Sequence, residues 1–434
     1  MNKLIEKQSI SCIMYASLKY WTEESKLEKT FKEIEKSISE KLDSVVFFRI
    51  TNEAELSKVL LEDKNSTALM IPLSGSVQTM MLKATNIYKA ICICPGYDKR
   101  IISTQRAKQV LEKNAAPAFM DFYSVIKQKG VLTQVFKGFF DLNKLFRAAR
   151  AADRLNGAKI LLIGGTESWV ISATRNLDII EQNFGVKVVH RELSELYSIY
   201  NKIQDKENDY SKKWIKLAKG IKEPNNSDIS NASILTSSIM KMVKQYDCDA
   251  VVLACFSLLN QFGTTGCMAL SELNDSIDYI GGCEGDLDSG LTLMLMKAIS
   301  DKPGWMANPI VMDDNIIQLS HCSAPLNMNG KNKSEFVLRS HHESGIGVSP
   351  QVKLDNEEIV TLCRVGKEMS AINLFIGKTV IAPRLPVCRT QVSVVIDSIE
   401  EYLESVLGCH LIITYGDYTE ELKYFAKLKN LEIL

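Results

Sequence analysis

The stretch Lys159-Ile-Leu-Leu-Ile-Gly-Gly165 is a short apolar run that ends in two glycines, which predicts a buried strand followed by a tight turn. Residues 144–155 precede it with leucines and alanines at helical spacing, and Asn156-Gly157 ends that predicted helix. Residues 186–189 form the next apolar run, and residues 249–255 form another. Strands that alternate with helices predict βαβ units and a parallel sheet.

The same alternation occurs closer to the N-terminus. Residues 44–50, 67–73 and 87–93 are predicted strands, and residues 53–61 are a predicted helix between the first two. These segments predict a second parallel sheet that is separate in sequence from the first.

The pattern changes after about residue 310. Short strand-like segments there are separated by Asn, Gly and Pro, which is typical of antiparallel β structure or of a small barrel. The sequence therefore predicts an α/β protein with parallel-sheet domains at residues 1–155 and 156–300. A mainly antiparallel, β-barrel-like domain with terminal helices follows at residues 301–434.

Composition excludes several classes of protein. The 434 residues contain 52 basic and 52 acidic side chains, so nonspecific electrostatic binding to nucleic acid or to an anionic membrane is not expected. The longest apolar run, residues 250–259, is far shorter than the ~20 residues that span a bilayer. No secretory leader is recognisable, and eleven cysteines are too few for a disulfide scaffold. We therefore expect a reduced, cytoplasmic protein.

No nucleotide cofactor is predicted. Gly164-Gly165-Thr166 follows a strand, but it lacks the full G-x-G-x-x-G spacing and the Lys-Ser/Thr of a P-loop, so a tight turn is favoured over a phosphate cradle. No G-x-S-x-G elbow or zinc-ribbon spacing occurs, and the cysteines are interpreted as small buried apolar residues.

Histidines and carboxylates cluster in the last third of the chain. Four of the five histidines follow residue 320, and Gly281-Gly-Cys-Glu-Gly-Asp286 places two carboxylates in a glycine-rich turn before an apolar helix. Each histidine alone has an ordinary structural explanation. Together, carboxylates and imidazoles suit a divalent ion such as Mn²⁺ or Mg²⁺.

This region resembles the L-fucose and L-arabinose isomerases and their uncharacterised fucose isomerase-like relatives. The resemblance covers about residues 280–420 and extends in part to residues 148–165. It rests on Cys283-Glu-Gly-Asp-Leu287, His321-Cys-Ser-Ala-Pro325, His341-His-Glu-Ser-Gly-Ile-Gly-Val348, Cys388-Arg-Thr-Gln391, Gly408-Cys-His410 and Tyr415-Gly-Asp417.

The resemblance implies two Rossmann-like domains followed by a barrel-type domain. It also implies a homo-oligomer, a trimer or hexamer, that interconverts aldoses and ketoses with a divalent metal, most often Mn²⁺ and otherwise Mg²⁺ or Co²⁺. Glu284 matches a metal-binding carboxylate that also acts as acid or base, His410 matches a metal-binding histidine, and His321 matches a histidine that binds metal in the arabinose branch.

One position departs from the family pattern. Asn308 falls where a second metal-binding carboxylate is expected, and its amide can coordinate metal but cannot act as a base. Either Asp286 or Asp313 replaces that carboxylate, or the chemistry has changed, or it has been lost.

The functional prediction is a metal-dependent ketol-isomerase acting through an enediolate on a pentose, a deoxyhexose or a modified sugar. Glu284, Asp286 and His321 are the predicted catalytic residues, and Glu284, Asn308 and His410 the predicted metal ligands. His341, Glu343 and Arg389 are predicted to bind substrate. An exposed turn explains His341 and Glu343 equally well, and an arginine such as Arg389 at a strand edge is more often a structural ion-pair partner. The alternatives are a non-catalytic sugar-binding relative, or an aldol cleavage or epimerisation through the same enediolate.

Overall fold

The computed structural model describes residues 9–203, 209–312, 315–381 and 383–434. The described residues form two compact units, one up to residue 153 and the other from residue 154 to residue 434. The predicted division into three domains stays a prediction. Among the described residues, no helix combines the length and the apolar character needed to cross a bilayer.

The first unit contains a five-stranded parallel sheet in the order β2-β1-β3-β4-β5. The strands at the centre of this sheet are covered on both faces, and their side chains are accordingly almost all apolar. The strands are β1 (Ile10–Tyr15), β2 (Val45–Ile50), β3 (Thr67–Pro72), β4 (Ala90–Ile93) and β5 (Leu132–Val135). The helices are α1 (Glu24–Ser39), α2 (Glu53–Glu62), α3 (Gln78–Ala84), α4 (Thr104–Glu112) and α5 (Ala115–Ile126).

The second unit begins with a four-stranded parallel sheet in the order β7-β6-β8-β9. Its strands are β6 (Lys159–Ile163), β7 (Lys187–Arg191), β8 (Ala250–Leu253) and β9 (Ile280–Gly282). The helix α6 (Phe139–Leu155) includes residues of both units. The other helices of this part of the second unit are α7 (Leu177–Phe184), α8 (Leu193–Tyr200), α9 (Asp209–Leu217), α10 (Asn226–Gln245), α11 (Cys255–Phe262), α12 (Cys267–Asp275) and α13 (Leu287–Ser300).

A mainly antiparallel sheet completes the second unit. Its hydrogen-bonded order is β14-β17-β10-β11-β16-β15-β18, and β14 also pairs with β15. A separate hairpin joins β12 to β13. The strands are β10 (Trp305–Val311), β11 (Ile316–His321), β12 (Phe336–Arg339), β13 (Ser349–Val352), β14 (Ile359–Gly366), β15 (Ala371–Val380), β16 (Thr390–Ile396), β17 (Leu411–Tyr415) and β18 (Glu432–Ile433). The last helices are α14 (Ile399–Glu404) and α15 (Thr419–Lys429).

The predicted mixed α/β class, with parallel sheets followed by a mainly antiparallel sheet, is confirmed. Strand β10 does not follow from the sequence pattern, because Asn308-Pro309 in its middle is typical of a turn. In the structure both residues pair with residues of β11, Asn308 with Ser320 and Pro309 with Leu319.

Candidate active site

The turn between β9 and α13 presents Glu284 in a constrained backbone conformation. Glu284 has φ 58° and Gly285 has φ 64°. A Cβ on Gly285 would lie 2.1 Å from the backbone oxygen of Gly165, so only glycine allows the turn after β6 to approach this closely. The Thr166 hydroxyl donates to the Gly285 carbonyl at 2.8 Å, and the Glu167 amide donates to the Glu284 carbonyl at 3.1 Å. The glycine turn after β6 therefore supports the turn that carries Glu284.

Glu284 and two histidines converge at one point. Glu284 Oε1 lies 3.4 Å from His410 Nε2 and 3.7 Å from His321 Nε2. His321 is the last residue of β11, and His410 immediately precedes β17. Three chain segments that are distant in sequence thus bring one carboxylate and two imidazoles together.

Each imidazole is anchored through its other nitrogen. His410 Nδ1 is 2.8 Å from Asp286 Oδ2, and His321 Nδ1 is 2.9 Å from Ser323 Oγ. These contacts direct both Nε2 atoms toward Glu284. Among the described residues, the buried Nε2 of His410 has no partner at hydrogen-bonding geometry. Anchored imidazoles with one free nitrogen, next to a carboxylate, are a donor set that suits a divalent metal ion.

Asp286 is placed behind this cluster. It is completely buried, it caps the N-terminus of α13 by accepting from Ser289 N, and it does not line the cavity. Arg364 Nη1 and Nη2 donate to its two carboxylate oxygens at 2.8 and 3.0 Å. The structure therefore gives Asp286 the contacts of a residue that positions His410. Asp313, the other aspartate considered as a replacement ligand, lies outside the described residues.

The charges of the cluster stabilise one another. Burial alone would raise the pKa of Glu284, but its interactions with His321 and His410 hold that pKa well below the usual range. Burial would also raise the pKa of Asp286, and Arg364 and His410 hold it well below the usual range. Asp288 differs, because burial raises its pKa to about 6 although Arg364 is nearby. Two of the three acids are therefore fixed as carboxylates.

A cavity of about 760 Å³ opens in front of Glu284. It is lined in part by Glu284, Asn308, His321, His341, His342 and Glu343, whereas His410, Asp286 and Arg389 are outside its lining. A cavity of this volume is large enough to enclose a small ligand. Five of the eight residues predicted to form the site therefore line one cavity. His410 does not line the cavity, but it lies next to Glu284, which does.

The turn that carries His341 and Glu343 forms another wall of the cavity. His341 Nδ1 is 2.9 Å from Ser344 Oγ, and its ring packs edge-on against Phe256 with 5.5 Å between centroids. The Thr265 hydroxyl accepts from Val348 N at 3.0 Å, which fixes the end of the turn. Glu343 itself is exposed.

Arg389 supports this turn from behind. Its Nε donates to the Ser340 carbonyl at 3.0 Å, and its Nη2 donates to the Ser340 hydroxyl at 3.1 Å. Its predicted contact with an anionic substrate group stays a prediction.

Sequence reasoning missed two residues of the site. Trp169 lines the cavity, donates from its indole nitrogen to Glu284 Oε2 at 2.9 Å, and packs edge-on against Phe256. No local pattern marks Trp169. Arg364 does carry a signal, because a single charge in the apolar strand Ile-Val-Thr-Leu-Cys-Arg-Val-Gly must find a buried partner.

Comparisons with known proteins find similarity to proteins named as sugar isomerases. The chain is 21% identical over 300 residues to the sulfoquinovose isomerases of Priestia aryabhattai and Priestia megaterium, a match that covers 65% of each chain. It is 20% identical over 306 residues to the sulfoquinovose isomerase of Alkalicoccus urumqiensis, covering 68% of each chain. The chain thus spans just under two thirds of the length of the Priestia relatives.

The other comparisons contribute less. No protein-family model matches the chain. A solved D-2-hydroxyisocaproate dehydrogenase aligns with 67% of this chain and 98% of its own, at 10% identity and a TM-score of 0.13. That score is too low to support an argument about fold or function.

Proposed function

We propose that this protein is a metal-dependent aldose–ketose isomerase. The observation that carries the proposal is the convergence of Glu284 Oε1 with the Nε2 atoms of His321 and His410. The relatives named sulfoquinovose isomerase support the same class of reaction. The ring of strand pairings that β14 closes with β15 also favours the barrel-type domain that the resemblance implies.

Glu284, His321 and His410 would hold the metal, and Asn308 would contribute its amide oxygen from the cavity wall. This donor set fits, because the buried His410 Nε2 lies near Glu284 but makes no hydrogen bond among the described residues. A divalent ion, Mn²⁺ before Mg²⁺ or Co²⁺, would supply Lewis-acid stabilisation of the negative charge that develops on the sugar oxygens.

The remaining residues bind the sugar and move its proton. Isomerisation transfers a proton from C2 to C1 through an enediolate, so a base must face C2. Glu343 is a carboxylate on the cavity wall outside the metal cluster, and we assign this role to it. His341, which contacts Ser344 and Phe256, would exchange protons with the sugar hydroxyls. Trp169 and Phe256 offer an apolar surface for the sugar ring.

The proposed substrate is a small sugar: a pentose, a deoxyhexose or a modified sugar. Sulfonated sugars, sulfoquinovose among them, come first in the panel because of the relatives' names. Exchange of the C2 hydrogen in D₂O, followed by proton NMR, detects turnover even where the equilibrium favours the aldose.

Metal content is the first test. We expect one Mn²⁺ per chain in the purified protein and none in His410→Ala, because that variant loses an anchored ligand. His190→Ala, which changes an exposed histidine on β7, is the matched control and should keep the metal. A Mn²⁺-loaded protein that exchanges the C2 hydrogen of no aldose in a panel with phosphorylated and sulfonated sugars would contradict the proposal.

Asn308 favours one second candidate, a sugar-binding protein without turnover. The amide brings no negative charge to the cluster, so metal affinity and basicity are lower than with a carboxylate. Glu284→Gln separates the two functions: a binding protein keeps its sugar affinity in this variant, whereas an isomerase loses turnover.

A further inference from the structure

A second cavity lies in the antiparallel part of the second unit, apart from the one in front of Glu284. Its volume is about 410 Å³, which is large enough for a small ligand. We call it the hairpin cavity, because the β12–β13 hairpin lines it together with strands β11, β15 and β16, through Phe336, Gln351, Gln318, Val380 and Gln391 among others. No described residue lines both cavities, so the hairpin cavity is separate from the candidate active site.

The lining of the hairpin cavity is rich in positive charge. Its described residues include three cations, Lys219, Lys353 and Arg384, and one acid, Glu335. Glu335 is shared by the lysines, since its Oε1 lies 3.3 Å from Lys219 Nζ and its Oε2 lies 4.0 Å from Lys353 Nζ. The whole chain has equal numbers of basic and acidic side chains, so this excess is local. It favours an anionic ligand.

Arg384 is the cation of the lining that lacks an acidic partner. Its Nη2 donates to the Arg389 carbonyl, and it forms no ion pair with any described residue. The neighbouring Arg339 is already bound to Glu223. Desolvation and the positive charges of Arg339 and Arg389 lower the pKa of Arg384. An anion bound to Arg384 would offset this repulsion and accept from its remaining N–H groups.

An unpartnered acceptor also belongs to the lining. Gln391 Nε2 donates to the Leu385 and Cys388 carbonyls at 2.8 and 3.0 Å, and its Oε1 accepts from Leu385 N at 2.9 Å. These contacts fix the orientation of the Gln391 amide, so Gln318 presents its Nε2 to Gln391 Oε1, at 2.9 Å. Gln318 is 2% exposed, and its own Oε1 has no donor among the described residues. Buried acceptors are seldom left unsatisfied, so a ligand that carries a hydroxyl or N–H donor is favoured.

Apolar side chains form much of the remaining lining. Phe336, Val352, Leu354 and Val392 are all buried and line the cavity. A hydrated inorganic ion gains nothing from contact with them, whereas an organic group buries apolar surface there. The lining therefore suits a ligand that combines an anionic group with an apolar body.

We propose that the hairpin cavity is a second ligand site, which binds a small organic anion with its acidic group at Arg384 and its apolar body against Phe336 and Val392. A sulfonate, a phosphate and a carboxylate share the required charge. The proposal does not depend on the isomerase activity, because Glu284, His321 and His410 do not line this cavity.

Two dyes that differ in one charge test the role of Arg384. Anilinonaphthalenesulfonate carries a sulfonate, and N-phenylnaphthylamine has the same apolar body without it. We expect the sulfonate dye to bind more tightly by fluorescence titration, and this preference to fall about tenfold in Arg384→Gln, as expected for a hydrogen bond to a charged group. Arg191→Gln, on β7, is the matched control and should keep the preference.

An unchanged preference in Arg384→Gln would overturn the proposal. Dye bound in front of Glu284 would give that result, because Arg384 does not line that cavity. Absence of saturable binding of the sulfonate dye to the unaltered protein would overturn it as well.

A second measurement uses only the unaltered protein. Bound anilinonaphthalenesulfonate should slow acetylation of Lys219 and Lys353 relative to Lys423, an exposed lysine on α15, as mass spectrometry of the peptides reports. Equal acetylation with and without the dye would contradict the proposal even where a variant fails to fold.

Competition identifies the acidic group. Hexyl phosphate, hexyl sulfonate and hexanoate have the same apolar chain, so their order in displacing the dye reports which head group the site prefers. We expect at least one of them to displace it from the unaltered protein. Displacement by none of the three would restrict binding to the dye and overturn the proposal.

Discussion

Two walls of the same cavity are built in different ways. The wall that contains Glu284 and His321 is buried and fixed by contacts to Trp169, Ser323 and, through His410, Asp286. The wall formed by residues 341–347 is a turn in which Glu343 is exposed and His341 is held mainly by its neighbour Ser344. The buried wall is suited to holding an ion in fixed geometry, and the turn is suited to contacting a substrate that enters and leaves.

The comparison predicts separable defects. Changes in the buried wall should affect metal binding, stability or both. Changes in the turn should affect turnover while the metal and the fold remain.

The largest expected effect is that of Glu284→Gln. This change removes the carboxylate that both imidazoles contact, so we expect loss of bound Mn²⁺ and of detectable C2-hydrogen exchange. Metal analysis and NMR exchange on the same sample measure the two losses. If the variant keeps full C2-hydrogen exchange, the buried wall takes no part in the reaction.

Glu343→Gln tests the turn. We expect kcat to fall about 10²–10⁴-fold, the usual contribution of a positioned general base, with one Mn²⁺ per chain still bound. Glu404→Gln, an exposed glutamate on α14, serves as the control and should leave both quantities unchanged. If Glu343→Gln loses metal as well, the two walls do not act separately.

The contrast between the walls also explains which residues and strands can be predicted from the sequence. Glu284, His321 and His410 lie in short motifs whose order resembles that of known isomerases, so the amino-acid sequence alone is enough to name them. Lys159–Ile163 is a continuous apolar run, and its burial follows directly from that pattern.

The contacts that the sequence does not predict are those between residues that are distant in the chain. Arg364 is recognisable as an unusual charge in a strand, but its partner Asp286 is 78 residues away. Trp169 contacts a carboxylate 115 residues away. The catalytic role predicted for Asp286 stays a prediction, and the sequence pattern behind it, a carboxylate in a glycine-rich turn, does not show the contact with Arg364. Tertiary pairing, which local pattern does not encode, supplies these contacts.

Arg364→Met tests the support of the buried wall. It leaves the buried Asp286 carboxylate without its bidentate partner, so we expect the free energy of unfolding to fall by about 3–5 kcal/mol. Lys367→Met removes an exposed ion pair with Glu432 and should cost at most about 1 kcal/mol. Urea unfolding of both variants measures the difference. Equal stability of the two variants would show that Arg364 does not support Asp286.

The smallest expected effect is in the pH dependence of stability at Asp288. Its pKa is raised to about 6 by burial, above the ordinary value of 3.8 for the unfolded chain. Between about pH 4 and pH 6 the folded state therefore retains a proton that the unfolded state has released. The free energy of unfolding falls with rising pH over this window, by at most about 3 kcal/mol, and the loss is complete above pH 6.

Asp288→Asn should abolish this fall, because the amide keeps the acceptor for Thr174 N at 2.9 Å but does not ionise. The other buried acids titrate in both proteins, so the informative quantity is the difference between them. We expect the free energy of unfolding of the variant to rise relative to that of the unaltered protein as pH increases from 4 to 7. Urea unfolding at each pH measures this difference. A constant difference across that range would show that Asp288 is already ionised at pH 4. The interior of the buried wall would then stabilise two carboxylates beside Arg364, those of Asp286 and Asp288, instead of one.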